Sequence, residues 1–310
     1  YALDVADEPQ SNTSDFYDEA IGFMNSVYRQ ICAGGTALNP DIDEKWNWLR
    51  SSTPGVITLL PAYLGTAALT FNSDAVTLSA IVAYSLEGWV FFIPGGNGDF
   101  FRVEDHTAGT DAVTLDSVYT GVTNAAASVK AFKLVYDLPA GVEQVLGAMR
   151  ATRQGEDKIE GIDPDRLLDD FPFSSFETGI PSYYAMTSLN KVMFSGYAGD
   201  NASDLVRVEF DYNVTIEDLE DNSDEPLIPL AYRASVLGEF TAFYILQDKH
   251  DNKADAIGKL AQAGLMAMAA ENRRRMQTQG SDSFGQIYPR KPPGKGRRGL
   301  LRTTSGHIIG

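Results

Sequence analysis

The chain has 310 residues and an ordinary globular composition, 44% hydrophobic and 22% charged, so a sizeable core needs neither disulfides nor metals. The single cysteine, Cys32, excludes an internal disulfide, and no window approaches the roughly eighteen uninterrupted apolar residues of a membrane-spanning helix. The net charge of −17 is unevenly spread: residues 273–310 hold nine Lys/Arg against one acid, Asp282, which leaves sixteen bases and forty-one acids, or −25, on residues 1–272.

An acidic body repels nucleic acid, while a basic end seeks phosphates or an acidic protein surface. Asp4, Asp7 and Glu8 stand where a signal peptide would carry basic residues, so an intracellular, soluble product is expected. Ser14 is placed to cap a helix beginning at Asp15, with Ile21, Met24, Val27, Tyr28 and Ile31 at helical spacing and Gly34-Gly35 as its stop. A second, short helix is predicted over 43–50. Its Trp46 and Trp48 read as core packing.

From Gly55 to Pro139 the texture turns to β. Thr, Val, Phe and Tyr are frequent, and turn signals recur at Asn72-Ser73-Asp74, Glu87-Gly88, Gly95-Gly96-Asn97-Gly98, Ala108-Gly109-Thr110 and Tyr119-Thr120-Gly121. A small antiparallel sandwich or barrel is predicted there. Helical spacing returns at Val142, Val145, Leu146 and Met149, which predicts a helix over 142–153, and Asp163-Pro164 opens a short one. Segments 181–187, 191–195 and 204–214 read as a β meander. Pro229 then starts a helix through about Lys249, and Asp251 or Asn252 caps a last one, with Ile257, Leu260, Ala261, Gly264, Leu265 and Met268 on its inner side.

The predicted fold is therefore α+β: a helical bundle with an inserted antiparallel β sandwich or barrel and an extended C-terminal tail. Its parts are an N-terminal helical part (1–54), the β insertion (55–139), the rest of the bundle with its meander (140–279) and a basic tail (280–310). No catalytic machinery is legible. The histidines His106, His250 and His307 form no HExxH and no triad. Gly95–Gly98 leads into a strand-like Phe100-Phe101-Arg102-Val103 and not into a helix, and Gly294-Lys295-Gly296 lacks the Ser/Thr of a phosphate loop. The acidic run Asp218, Glu220, Asp221, Asp224, Glu225 lacks the alternating ligands and central glycine of a calcium loop and reads as solvated. No enzyme activity, metal or cofactor is expected.

Several segments, taken in order, resemble the adaptor (head-completion) proteins of tailed bacteriophage head–tail connectors. They are Thr114-Leu115-Asp116 through Tyr119-Thr120-Gly121, the exit Tyr136-Asp137-Leu138-Pro139 with the following Val142–Met149 segment, and Val206–Tyr212. After these come Pro226–Tyr232, the helix Ala234–Tyr244, the polar break Gln247–Lys253 and a long last helix ending in Arg273-Arg274-Arg275. The resemblance covers residues 15–279 by order of elements. It implies a virion protein assembled in the host cytoplasm, with no membrane association. Its partners would be further copies in a dodecameric ring, the portal protein and tail or nozzle proteins, with DNA passing the lumen without sequence-specific contact.

The tail is expected to dock in extended form on an acidic surface of the portal or a neighbouring subunit. Tyr288, Leu300 and Leu301 would anchor it apolarly, and Arg290, Lys291, Lys295, Arg297, Arg298 and Arg302 would supply charge. Packaged DNA is the competing acceptor. The alternative reading is a β-sandwich carbohydrate-binding or adhesion module using Tyr84, Trp89 and Phe91.

Overall fold

The computed structural model describes residues 15–94, 100–152, 157–171, 177–201, 203–220 and 224–280. These form two compact units. Of the described residues, one unit joins 15–49 to 216–280, and the other lies within Arg50–Thr215.

The first unit is helical. Its elements are α1 (Asp15–Cys32), α3 (Leu230–Tyr232), a π-helical stretch (Arg233–Gly238), α4 (Glu239–Asp248) and α5 (Ala254–Gly280). The apolar stripe of α1, Val27, Tyr28 and Ile31, packs with Val236, Leu237 and Phe240 and with Ala261, Leu265 and Met268 of α5. Gly264 lets α5 approach closely, because a Cβ there would sit 2.4 Å from the Ser235 carbonyl oxygen. The segment leading into α3 is stapled to α1. Asn25 bonds both main-chain groups of Leu219, at 3.0 and 2.9 Å, and the Tyr28 hydroxyl accepts the Leu227 N–H at 2.9 Å.

The second unit is β. Strands β2 (Tyr63–Leu69), β3 (Ala75–Val82), β4 (Val90–Phe92), β5 (Phe100–Asp105), β6 (Thr110–Leu115) and β7 (Asn124–Phe132) close a barrel in the order β2-β3-β6-β5-β4-β7. Closure comes from antiparallel pairing of β2 with β7, from Tyr63↔Ala131 to Leu69↔Asn124, which leaves the barrel no open edge. Leu69, Val76, Leu78, Leu86, Trp89, Phe91, Val103, Leu115 and Val129 fill its interior. Each large side chain buried this way is worth roughly 1.5–3 kcal/mol.

Strands β1 (Gly55–Leu59), β8 (Val135–Asp137), β9 (Val142–Ala151), β10 (Asp157–Gly161), β12 (Tyr183–Ser188), β13 (Lys191–Phe194) and β15 (Val206–Val214) form a seven-stranded sheet ordered β1-β15-β9-β10-β12-β13-β8. Its parallel pair, β10 with β12, is connected through the short helix α2 (Pro164–Asp170), which Asp163 caps by accepting the Asp165 N–H at 3.0 Å. The small strands β11 (Glu177–Thr178) and β14 (Gly196–Tyr197) pair separately. An apolar layer of Val90, Phe132, Leu134, Leu167, Ala185, Met193 and Tyr197 joins barrel wall, α2 and sheet within this unit.

This architecture corrects the predicted fold class. The chain is mainly β, with a closed barrel and a large second sheet, and is not a helical bundle carrying a sandwich. The decisive difference is in the segment predicted helical over 142–153, of which Val142–Ala151 is β9, the strand between β15 and β10. Register shifts between Glu209 and Asp211 and between Asn213 and Val214 break the β9–β15 ladder, and Gly147 takes φ +69°. Such bulges interrupt strict alternation, so apolar residues fall at three- and four-residue spacings and imitate a helix. With β9 a strand, the meander lies with the barrel in the β unit, Arg50–Thr215. The helix predicted over 43–50 is a single 3-10 turn, Asn47–Leu49, and Leu260, expected on the inner side of α5, is exposed.

Candidate interaction surfaces

The predicted docking residues Tyr288, Arg290, Lys291, Lys295, Arg297, Arg298, Leu300, Leu301 and Arg302 lie outside the described residues. The end of α5 that leads toward them is tied down on the helical unit. Glu44, with its side chain 5% exposed, receives Arg273 Nε on one carboxylate oxygen and Asn272 Nδ2 on the other, the latter at 3.0 Å. Asn272 also donates to the Lys45 carbonyl at 3.1 Å and accepts the Asn47 N–H at 3.0 Å. Arg275 pairs with Glu271, which also accepts the Tyr232 hydroxyl. That hydrogen bond, with Arg275 beside it, holds the Glu271 carboxyl below its ordinary range and pushes Tyr232 up. Arg273 and Asn272 therefore fasten the helix through buried Glu44, while Arg275 pairs within α5 itself.

A second surface, not anticipated from the sequence, lies at one end of the barrel. The β2–β3 turn and the β6–β7 loop are laced together. The Asn72 N–H donates to the Tyr119 carbonyl at 2.8 Å, Tyr119 N–H to Ser73 at 2.9 Å, and Phe71 N–H to Thr123 Oγ1 at 3.0 Å. Tyr119 is buried beneath this lacing, and its hydroxyl lies 2.3 Å from where a Cβ at Gly121 would be. The ordered loops hold three apolar side chains in solvent: Phe71 61%, Val118 43% and Val122 84% exposed. The signal was present, since large apolar residues in Asn/Asp/Ser/Gly-rich turns are out of place.

The chemistry candidates resolve into structure. His106 is 3% exposed; its Nδ1 accepts the Leu86 N–H at 3.1 Å and its Nε2 faces the Thr110 carbonyl at 3.4 Å, so both ring nitrogens are spent on loop geometry. In the acidic run, Asp218 holds Arg29 through Nε at 2.9 Å, Asp224 accepts the Glu220 N–H at 2.6 Å and Glu225 meets Arg233 at 3.2 Å. Asp221 lies outside the described residues. Strands β4 and β5 pair antiparallel, as the reading of Gly95–Gly98 as a turn required, although the turn itself is outside the described residues. Lys130, on β7, reaches Asp200 at 2.7 Å and the Tyr197 hydroxyl, which meets Thr178 Oγ1 at 2.9 Å. Burial alone would push its ammonium down, yet Asp200 and Tyr197 hold it above the ordinary lysine range, as a clamp between the barrel and the β11–β14 pair.

Among the described residues no group of three or more His, Cys, Asp or Glu side chains is placed to hold a metal, and no helix is long and apolar enough to cross a membrane. No protein-family model matches the chain, and no curated protein matches it.

Proposed function

We propose that this chain is a non-catalytic structural subunit of a bacteriophage head–tail connector, an adaptor that assembles as a ring beneath the portal and joins it to the tail. The observation that carries the reading is the helical unit that joins residues 15–49 to 216–280, in which α5 is fastened by Glu44 and is followed in sequence by a strongly basic segment. A basic segment attached to a fixed helix suits an anchoring arm, because the attachment raises the effective concentration of its charges at a nearby acidic surface. The acidic body suits a channel wall that DNA must pass without sticking. The laced apolar barrel end supplies a further contact for the next component.

The resemblance behind this reading loses one piece, since Val142–Met149 is a strand. Of the three aromatics of the adhesion alternative, Trp89 and Phe91 are 1% and 0% exposed inside the barrel, while Tyr84, stacked on Trp89, is 42% exposed and keeps a ring in solvent. Immunogold labelling of particles made from the genome that encodes the chain tests the proposal. Label at a single vertex, between head and tail, is expected. Label along fibres, or none on any particle, would overturn it.

A further inference from the structure

The β unit contains a cleft of about 450 Å3 between the barrel wall and the β8–β13 edge of the sheet. That volume is within the usual range for small-ligand pockets, about 300–1,000 Å3. Leu134, Val135 and Met193 give it an apolar wall, and Arg102, Lys191 and Asp116 line its polar side.

The charge of this lining runs against its surroundings. Residues 50–215 hold ten Lys/Arg and twenty-one Asp/Glu, whereas the cleft carries two bases and one acid. Among the described residues Arg102 forms no ion pair. Asp116 instead accepts the Arg102 main-chain N–H, at 3.0 Å, and leaves the guanidinium unengaged. Among the described residues Lys191 pairs only with Asp137, at 3.9 Å between two groups more than half exposed, which contributes little. An anion entering the cleft therefore meets cations without first breaking strong internal pairs. An unengaged guanidinium is matched to a carboxylate, which it binds in a bidentate fork. Asp116 sets the limit, because one nearby carboxylate disfavours a doubly charged group and leaves a net charge suited to a monoanion.

We propose that this cleft binds a small amphipathic monocarboxylate, its apolar body against Leu134, Val135 and Met193 and its carboxylate at Arg102 with Lys191 alongside. This is independent of the connector reading, since it concerns a cavity wholly inside the β unit.

The test uses the full chain and the probe 3-phenylpropionate, with binding followed by calorimetry and by ligand-observed NMR. For a ligand of this size a Kd of about 1–10 mM is expected. The uncharged 3-phenylpropanamide and the variant Arg102→Gln should each weaken binding by about tenfold, the worth of one charge-assisted contact. Val135→Trp, which fills the cleft, should abolish binding. Arg102 is exposed, so Arg102→Gln keeps the test sound even if Val135→Trp fails to fold. Equal binding of acid and amide, or wild-type affinity in Arg102→Gln, would overturn the proposal, as would no saturable binding by 50 mM probe. An acidic peptide such as acetyl-Asp-Phe-Asp-amide is the second arm. Binding of the peptide with none of 3-phenylpropionate would also overturn it, in favour of a protein partner.

Discussion

Glu44 and Asn272 stand 228 positions apart in the sequence and 3.0 Å apart in the fold. Through this contact, and Arg273 on the other carboxylate oxygen, the last described turns of α5 are held to the segment that follows α1. Arg273 keeps more than half of its side chain in water, so the energetic weight lies with the buried carboxylate and its hydrogen bonds. Glu44→Ala is expected to destabilise the protein by about 1–3 kcal/mol, and Glu44→Gln by less because one acceptor oxygen remains. Urea denaturation of the two variants checks this. Wild-type midpoints in both would show that the contact is idle.

Gly264→Ala sets helix propensity against packing. Alanine is the better helix former by about 1 kcal/mol, but its methyl would press on a main-chain oxygen that cannot turn aside. A net loss of about 1–3 kcal/mol is expected, since overpacking against backbone outweighs the propensity gain. A raised thermal midpoint in Gly264→Ala would mean that the contact between α5 and the π-helical stretch gives way easily.

The barrel end should separate stability from assembly. Changing Phe71, Val118 and Val122 to serine touches only exposed side chains, so the melting midpoint should move by no more than about 0.5 kcal/mol equivalent. Under the connector reading, particles carrying the triple variant should fail to complete the next tier. Tyr119→Ala should do the reverse first and melt the barrel early, because Tyr119 lies beneath the lacing of both loops. Normal particles from the triple variant would show that the exposed apolar end has no partner.

Deleting residues 281–310 tests the predicted basic anchor. The thermal midpoint of the remaining chain should be nearly unchanged, because the described helical core ends before that segment, while portal attachment should be lost. Sedimentation with DNA-filled heads reads the second outcome, and undiminished attachment would locate the anchor elsewhere.

Alkaline pH should loosen the helical unit. Burial pushes the Cys32 thiol from its ordinary 9.0 to about 12 and the Tyr28 hydroxyl from 10.0 to about 12. Both groups are neutral when protonated, and both bind their proton more tightly folded than unfolded. Their contribution is therefore complete below pH 9 and declines as pH rises from 9 toward about 12. Urea midpoints at pH 8, 10 and 11 should fall in that order. Cys32 should react with a thiol reagent only on unfolding, and rapid labelling in the native state would contradict its burial.

What the sequence determined by itself was mostly local. The stripe of α1, the Asp163-Pro164 helix start and the turn residues between barrel strands all act within a few positions, so their signals survive without knowledge of the fold. The same holds for the split between an acidic body and a basic end. Tertiary structure decided everything that depends on a distant neighbour. β9 is a strand because β10 and β15 flank it, and its bulges disguise that in the spacing of Val142, Val145, Leu146 and Met149. Trp89 and Phe91 became core, and not a sugar platform, when β2 met β7 and closed the barrel around them. Arg273 read as part of a basic patch until Glu44, 229 positions away in the sequence, came within reach. The cleft cations show the converse: Arg102 and Lys191 are unremarkable in sequence, and only the packing of the barrel against β8 and β13 brings them to one cavity. Burial and pairing are properties of surfaces that meet, and which surfaces meet is set by the whole chain's search for its lowest free energy.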